Sequence, residues 1–546
     1  MIRGTFDSGR ACGESRRSHG PAVLLLGEII RRHARYRPTR TAYVLDHADG
    51  RTERVTYAEF DAGANRLAHV LASAGVTRGD RVAMLAHNCV EYPWAYIACC
   101  RLGAIVVPVN TRYRRHEIRH AIEFAEAEVA IVAGDFLDDV LALCAEGALS
   151  GVRLVLALEE RSATAGHDGR PRVASLAAEI ERAAAVAVAP AAPPDERDPH
   201  VMLYTSGTTG VPKGALLSQR TYYLQAGSTQ ILTGQTDDDV GLSMFPMFHM
   251  GGWASPLGYW SIGASVVIMR KADPRAMLAA VARERVTYLY AVPTIYNAML
   301  ALPDFASFDL SSLRALGGGT AYMPREQIER ITRSFGTENM VVMYGQTEAG
   351  PISCLRARDL TRKAGSVGTP VNHVDVRIVD ERLADVPPGV PGEIVVRSDF
   401  TMLGYWRMPE ATEAAFAGGW LHTGDQAMWD DDGFIHIVGR LKEMIKTGGE
   451  NVFPVEVEQL LARHPSVAES AVLGVPDPDW GESVLAVVVT RAGASLDEAE
   501  VVAFVKQHLA GYKKPRHVRF VDELPRTAST RQVQKALLRD RFVQGW

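Results

Sequence analysis

The stretch Tyr204–Gly214, YTSGTTGVPKG, decides the reading of this chain. VMLY (Val201–Tyr204) has the apolar run of a strand end, and TSGTTG then removes side-chain bulk while adding hydroxyls and open backbone N–H groups. Such a segment can wrap phosphate oxygens, because successive main-chain N–H groups of a glycine-rich turn converge on an anion. Lys213 adds a positive charge. It is not a Walker loop: Gly207 is followed by TTGVPK, and no Gly-Lys-Ser/Thr closes the motif. Taken alone, the segment fits a surface turn of small polar residues equally well, so its surroundings have to decide.

Outward from this loop the chain alternates helix and strand. Thr56 and Glu59 stand at capping-box spacing, and Phe60, Ala64, Leu67 and Leu71 then recur at helical intervals until Gly75. RVAMLA (Arg81–Ala86) follows as a buried-strand run, and AIVVPVN, EVAIVAG, VRLVLAL and SVVIMR repeat the alternation. The expectation is an α/β fold: a large N-terminal domain of several subdomains with layered, largely parallel sheets. An Ala/Pro-rich connector, Ala183–Pro199, ends just before the loop. GGGT (Gly317–Thr320) follows the strand expected at LRAL.

Composition narrows the function. The chain has 546 residues, 47% hydrophobic and 23% charged, which suits a soluble protein of more than one domain. Lys plus Arg (59) nearly balance Asp plus Glu (64) with no long basic run, which argues against nucleic acid as a partner. Six cysteines without a CxxC pair indicate neither a disulfide framework nor a zinc site and fit a reducing cytoplasm. The apolar run YIACCRLGAIVVPV is broken by Arg101 and too short for a membrane span. Residues 1–20, polar and rich in Gly and Arg, are expected to form a disordered tail.

TSGTTGVPKG, PMFHMGG, GGGT, YGQTE, HTGD, GRLKEMIKTGGENVFPVEVE, GVPDPDWGE and YKKPRHVRFVDELPRT occur in that order. From about Leu24 to Phe542 the chain resembles the adenylate-forming superfamily of acyl-CoA synthetases, nonribosomal adenylation domains and luciferases. The resemblance implies ATP, magnesium and coenzyme A as cofactors and a small-molecule carboxylic acid as substrate, with a homodimer possible. It also implies an N-terminal domain over 21–439 and a small mobile α+β domain over 440–546 that swings about a hinge near Lys442.

By the same resemblance Thr205, Ser206, Gly207, Thr208, Thr209 and Gly210 cradle phosphates, with Lys213 assisting. Gly317, Gly318, Gly319 and Thr320 approach the adenine, bare glycine permitting close contact. Tyr344 stacks on the base, Gly345 and Gln346 complete the nucleotide contact, Thr347 lies near the α-phosphate and Glu348 holds magnesium. Asp425 and Arg440 take the ribose hydroxyls. His249 gates an acyl pocket lined by Gly251, Gly252 and Trp253; Gly448, Gly449 and Glu450 line the CoA channel, with Lys446 beside it. Read without the resemblance, Asp425 suits a turn, Arg440 a surface ion pair, His249 and Trp253 the core, and Lys446 a solvated strand edge.

The pattern departs from the family at the C-terminus. Where a Gly-Lys pair is expected after LPRTAS, this chain reads LPRTASTRQVQK, one residue longer. The catalytic lysine position falls on Arg531 or on Gln532 according to the direction of alignment, and a guanidinium has a different reach from an ammonium. The leading expectation is an AMP-forming acyl-CoA ligase acting on a fatty or aromatic/alicyclic acid. The alternatives are an acyl-AMP ligase that loads a carrier protein and a catalytically impaired nucleotide- or CoA-binding homologue.

Overall fold

The computed structural model describes residues 24–159, 164, 166, 170–205, 212–447, 450–527 and 532–543. The expected capping box is present: Thr56 Oγ1 accepts Glu59 N–H at 3.2 Å, and the Glu59 carboxylate accepts Thr56 N–H at 2.8 Å. Helix Tyr57–Ser73 buries Phe60, Ala64, Leu67 and Leu71, and the chain leaves it through Gly75 at φ +80°. The apolar run forms helix Glu91–Leu102 and strand Ile105–Pro108, with Gly103 at φ +69° turning the chain between them. Arg101 is absorbed inside the protein by an ion pair with Asp61 and a 2.7 Å hydrogen bond to Asn65 Oδ1.

Among the described residues an eight-stranded sheet runs in the order Gly404–Tyr405, Lys213–Ser218, Pro199–Thr205, Ile105–Pro108, Arg81–Leu85, Val129–Val132, Leu154–Ala157, Arg172–Ser175. It is parallel except for the first two pairings. A nine-stranded sheet runs Thr369–Pro370, Gly350–Leu355, Met340–Gln346, Ala315–Gly319, Tyr288–Tyr290, Val240–Ser243, Ser265–Met269, Thr41–Asp46, Thr52–Thr56. Its centre is parallel and its outer pairings are antiparallel. A four-stranded antiparallel sheet (Val374–Val379, Gly392–Ser398, Leu421–Trp429, Ile435–Arg440) follows. The fold is therefore mixed α/β, as expected, with the largest apolar core joining the first two sheets.

The C-terminal segment builds a separate small sheet. Strands Glu450–Val452, Ile445–Thr447, Gly481–Thr490 and Val467–Asp477 pair in that order, and His517–Phe520 adds in parallel to Gly481–Thr490. One face buries Ile445, Val457, Leu461, Val472 and Val484; the other buries Leu473, Leu485 and Val487 with Leu524 and Leu538. Residues 1–20, expected to be a disordered tail, lie outside the described residues.

One expectation is corrected. GGGT does not follow a strand: the strand Ala315–Gly319 runs through the glycines, pairing Gly317–Gly319 with Val341–Met343. The cause is lateral crowding. A Cβ on Gly317 would stand 2.5 Å from the Tyr288 hydroxyl and 2.5 Å from the Tyr290 ring, and one on Gly319 would stand 2.5 Å from the Tyr290 hydroxyl. Two tyrosines lie across the strand, and only glycine leaves them room.

Candidate active site

The proposed site residues collect where parallel strands end. The segments leaving Val240–Ser243, Ala315–Gly319 and Met340–Gln346 at their carboxyl ends carry His249, Thr320 and Thr347–Glu348. In the other sheet Thr205 stands at the carboxyl end of strand Pro199–Thr205. Crevices at such strand ends are the usual ligand sites of open α/β sheets.

On the nucleotide side, a register shift between Tyr344 and Gly345 interrupts the pairing with Gly350–Leu355, re-aiming the side chain there. The Tyr344 hydroxyl donates to Asp425 Oδ2 at 2.6 Å. Arg440 Nε meets the other oxygen of Asp425 at 2.9 Å, directly across the antiparallel pair Leu421–Trp429 and Ile435–Arg440. Asp425 is therefore a strand residue rather than a turn residue, only 3% exposed. Burial raises its pKa, and Arg440 and then the Tyr344 hydroxyl oppose that rise. Thr320 ends the glycine strand at φ +66°, the left-handed region that β-branched residues avoid, with its hydroxyl buried and unpartnered. Gln346 and Thr347 follow at the half-buried bend.

On the phosphate side, Glu348 Oε1 accepts the Thr205 hydroxyl at 2.9 Å and the Tyr405 hydroxyl at 3.1 Å. The first bond ties one large sheet to the other. Lys213, opposite Thr205 in the strand pairing, holds its ammonium 4.9 Å above the Tyr405 ring. Tyr405 escaped sequence reasoning; its only signal was the aromatic pair in LGYW, with no spacing to connect it to Glu348. Glu348 Oε2 has no hydrogen-bond partner among the described residues. A single free carboxylate oxygen suits magnesium, a hard cation that is commonly held by one carboxylate and substrate phosphates. Ser206, Gly207, Thr208, Thr209 and Gly210 lie outside the described residues.

On the acyl side, His249 caps helix Met250–Ile262, its Nδ1 accepting Gly251 N–H at 3.3 Å. Burial pushes its pKa down to about 4, so the ring is neutral at physiological pH. Phe245 lies 6.3 Å from the His249 ring and 5.6 Å from the Tyr290 ring, centroid to centroid. Gly252 is packed against backbone: a Cβ there would overlap the Pro246 carbonyl. Trp253 packs among aromatic side chains. Its indole is fully buried, stacked at 4.1 Å on Tyr96 and tilted against His200 and Trp260, which makes it core.

On the C-terminal side, Lys442 lies in the exposed turn Leu441–Glu443, its pKa lowered by partial burial and by Arg440. Lys446 is exposed on strand Ile445–Thr447, and Glu450 is exposed at the start of the next strand. Gly448, Gly449 and Arg531 lie outside the described residues. Gln532, the other candidate for the missing lysine position, donates its side-chain N–H to the Thr320 carbonyl at 2.8 Å. Lys535, at the start of helix Lys535–Val543, turns away from the site toward Glu443 (3.1 Å) and Glu458 (2.8 Å).

The sequence comparisons place the chain among adenylate-forming ligases. The sequence pattern of the AMP-binding enzyme family matches residues 30–406, and that of the AMP-binding enzyme C-terminal domain matches residues 456–531. The chain belongs to this family. It is 39% identical to the feruloyl-CoA synthase of an Amycolatopsis species, covering 92% of this chain and 98% of that relative. It is 38% identical to the indoleacetate–CoA ligase of Aromatoleum aromaticum, covering 92% and 95%. The crystal structure of the anthranilate CoA ligase AuaEII with anthranoyl-AMP superposes with a TM-score of 0.84 at 28% identity, covering 95% and 97%. The protein is an acid–thiol ligase that forms AMP, and such ligases use ATP and coenzyme A. Among the described residues, no helix is long and apolar enough to cross a membrane.

Proposed function

We propose that this ligase activates a ring-bearing carboxylic acid. In the first step a carboxylate oxygen attacks the α-phosphorus of ATP, giving acyl-AMP and pyrophosphate. In the second the CoA sulfur attacks the acyl carbon and AMP leaves with the C–O electron pair, the thiol proton passing to solvent. The observation that carries the reading is the Thr205–Glu348–Tyr405 cluster beneath Lys213, set beside the Tyr344–Asp425–Arg440 group. The first suits a polyphosphate and the second a ribose.

Each group has a task set by its surroundings. Lys213 offsets charge on the departing pyrophosphate, and the two hydroxyls on Glu348 Oε1 hold that carboxylate in place. Magnesium bound through Glu348 supplies further neutralisation of phosphate charge. The neutral His249 places no cation beside the substrate carboxylate, which keeps its nucleophilicity. The printed substrates of the relatives, feruloyl, indoleacetate and anthranilate, are ring-bearing, which supports a ring-bearing acid here.

The test is mass spectrometry of products after incubation with ATP, magnesium, CoA and a pool of aromatic, alicyclic and straight-chain acids. AMP with one dominant ring-bearing acyl-CoA is the expected result. A dominant straight-chain product refutes the substrate class. Acyl-AMP that accumulates in the presence of CoA shifts the acceptor to a carrier protein.

A further inference from the structure

We propose that Tyr405 is a positioning residue that couples the two phosphate-side groups, its hydroxyl fixing the Glu348 carboxylate and its ring fixing the Lys213 ammonium. The proposal rests on the reading of Glu348 as the magnesium carboxylate and of Lys213 as the cation on pyrophosphate.

Strand register puts these groups on one face. Lys213–Ser218 lies between Pro199–Thr205 and the two-residue strand Gly404–Tyr405, and both pairings are antiparallel. Thr205 stands opposite Lys213, and Tyr405 stands opposite Ala215, two positions farther along. Residues opposite one another, or two apart on a strand, share a face of the sheet. Thr205, Lys213 and Tyr405 therefore project from the same side. Glu348, in the turn between Met340–Gln346 and Gly350–Leu355 of the nine-stranded sheet, meets that side.

The segment that carries Tyr405 is tied to both of its targets. Met402 N–H donates to the Glu348 carbonyl at 2.7 Å, so the backbone of Glu348 and its carboxylate are held by one short segment. Leu403 N–H donates to the Leu216 carbonyl at 2.7 Å and Trp406 N–H to the Gly214 carbonyl at 2.8 Å, which fixes the segment to the lysine strand. Tyr405 N–H donates to Thr412 Oγ1 at 2.9 Å. Burial, reinforced by the Glu348 carboxylate, raises the Tyr405 pKa, so the hydroxyl stays protonated and donates. The two contacts use different parts of the side chain: the O–H reaches Glu348 Oε1 at 3.1 Å, and the ring face holds the ammonium 4.9 Å from its centroid. They can be removed separately.

Removing an outer hydrogen-bond partner of a metal ligand costs about 10- to 100-fold in metal affinity. Thr205 keeps its bond to the same Glu348 oxygen, so Tyr405→Phe sits at the lower end, about 10-fold. Phenylalanine still offers Lys213 a ring face. Tyr405→Leu removes the ring as well, and a partly buried cation–π contact corresponds to about 3- to 10-fold.

The test is calorimetric titration of the full-length protein with ATP alone, in magnesium and in EDTA, without acid or CoA, so that it reads binding rather than turnover. Tyr405→Phe is expected to weaken ATP binding about 10-fold in magnesium and to leave it unchanged in EDTA. Tyr405→Leu is expected to add a further loss of about 3- to 10-fold in both media. A Tyr405→Phe protein that binds ATP less tightly by the same factor in both media has a structural defect only, and one that matches the unmodified protein in both shows no role for the hydroxyl; either result overturns the proposal. Equal EDTA affinities for Tyr405→Phe and Tyr405→Leu overturn the role of the ring. Tyr405→Phe, which keeps the ring packing, decides the matter if Tyr405→Leu does not fold. Glu348→Gln is the control for the underlying reading: an unaltered magnesium dependence there refutes Glu348 as the metal carboxylate, whereas a defective Glu348→Gln beside a normal Tyr405→Phe refutes the role of Tyr405 alone.

Discussion

Replacing Tyr344 with phenylalanine tests the nucleotide side of the site most directly. The Tyr344 hydroxyl reaches Asp425 Oδ2 at 2.6 Å, and Asp425 is 3% exposed, so water cannot take its place freely. A hydrogen bond to a buried charged acceptor contributes about 1.5–3 kcal/mol. Losing about 2 kcal/mol of stabilisation of the ionised carboxylate raises the pKa of Asp425 further, since burial already raises it and the Tyr344 hydroxyl is one of the groups that oppose the rise. If ribose binding needs the carboxylate ionised, activity falls as pH drops through that pKa. The acid limb of kcat/KM for ATP therefore moves to higher pH in Tyr344→Phe. Pyrophosphate exchange measured across pH gives the limb, and urea denaturation gives the stability. A variant whose acid limb and urea midpoint both superimpose on those of the unmodified protein refutes the reasoning.

Further outcomes follow from packing and charge. Burial pushes His200 down to about 3 and His249 to about 4, whereas both take protons near 6.5 in the unfolded chain. The unfolded state therefore binds more protons between pH about 6.5 and about 3, and stability falls as pH falls through that window; His200→Gln flattens this dependence in denaturation midpoints, and an unchanged slope contradicts it. Gly252→Ala forces a Cβ into the Pro246 carbonyl, and because backbone gives way poorly the cost is about 3 kcal/mol, read as a lowered thermal midpoint. Lys535→Met leaves Glu443 and Glu458 facing one another without their cation and destabilises the C-terminal unit by about 3 kcal/mol, visible as earlier proteolysis of that unit; equal proteolysis rates count against the ion triad. Glu348→Gln keeps both hydroxyl contacts possible but removes the anion, so the magnesium concentration for half-maximal pyrophosphate exchange rises about 10-fold or more, and an unchanged value removes Glu348 from the metal.

The local rules of the sequence reached far into the fold. The capping box at Thr56, the buried helix Glu91–Leu102 and the strand before the TSGTTG loop were all legible, because each depends on residues within a few positions. Asp425 and Arg440 were legible only through ordered motifs; their contact comes from the register of two strands, which spacing does not reveal. Trp253 carried two readings in the sequence, a pocket residue by the family motif and core by its apolar run, and its stacking on Tyr96, far upstream, is a contact that no spacing reveals. Tyr405 and Gln532 were hidden for a related reason. Tyr405 acts on Glu348 across 57 positions and Gln532 on Thr320 across 212, and no periodicity links such pairs.

The glycine strand has a consequence for how the substrate range of this protein can be altered. At Gly317 and Gly319 the space that a side chain would fill is held by Tyr288 and Tyr290, and at Gly318 by Met323 and Met340. Gly319 has the least freedom, because its Cβ would stand 2.3 Å from the Met343 carbonyl oxygen at φ +155°, whereas Gly317 and Gly318 face side chains that can be changed with them. A directed-evolution library that keeps Gly319 and pairs changes at Gly317 and Gly318 with smaller residues at Tyr288, Tyr290 and Met323 would keep more folded chains than one that varies residues 317–319 alone.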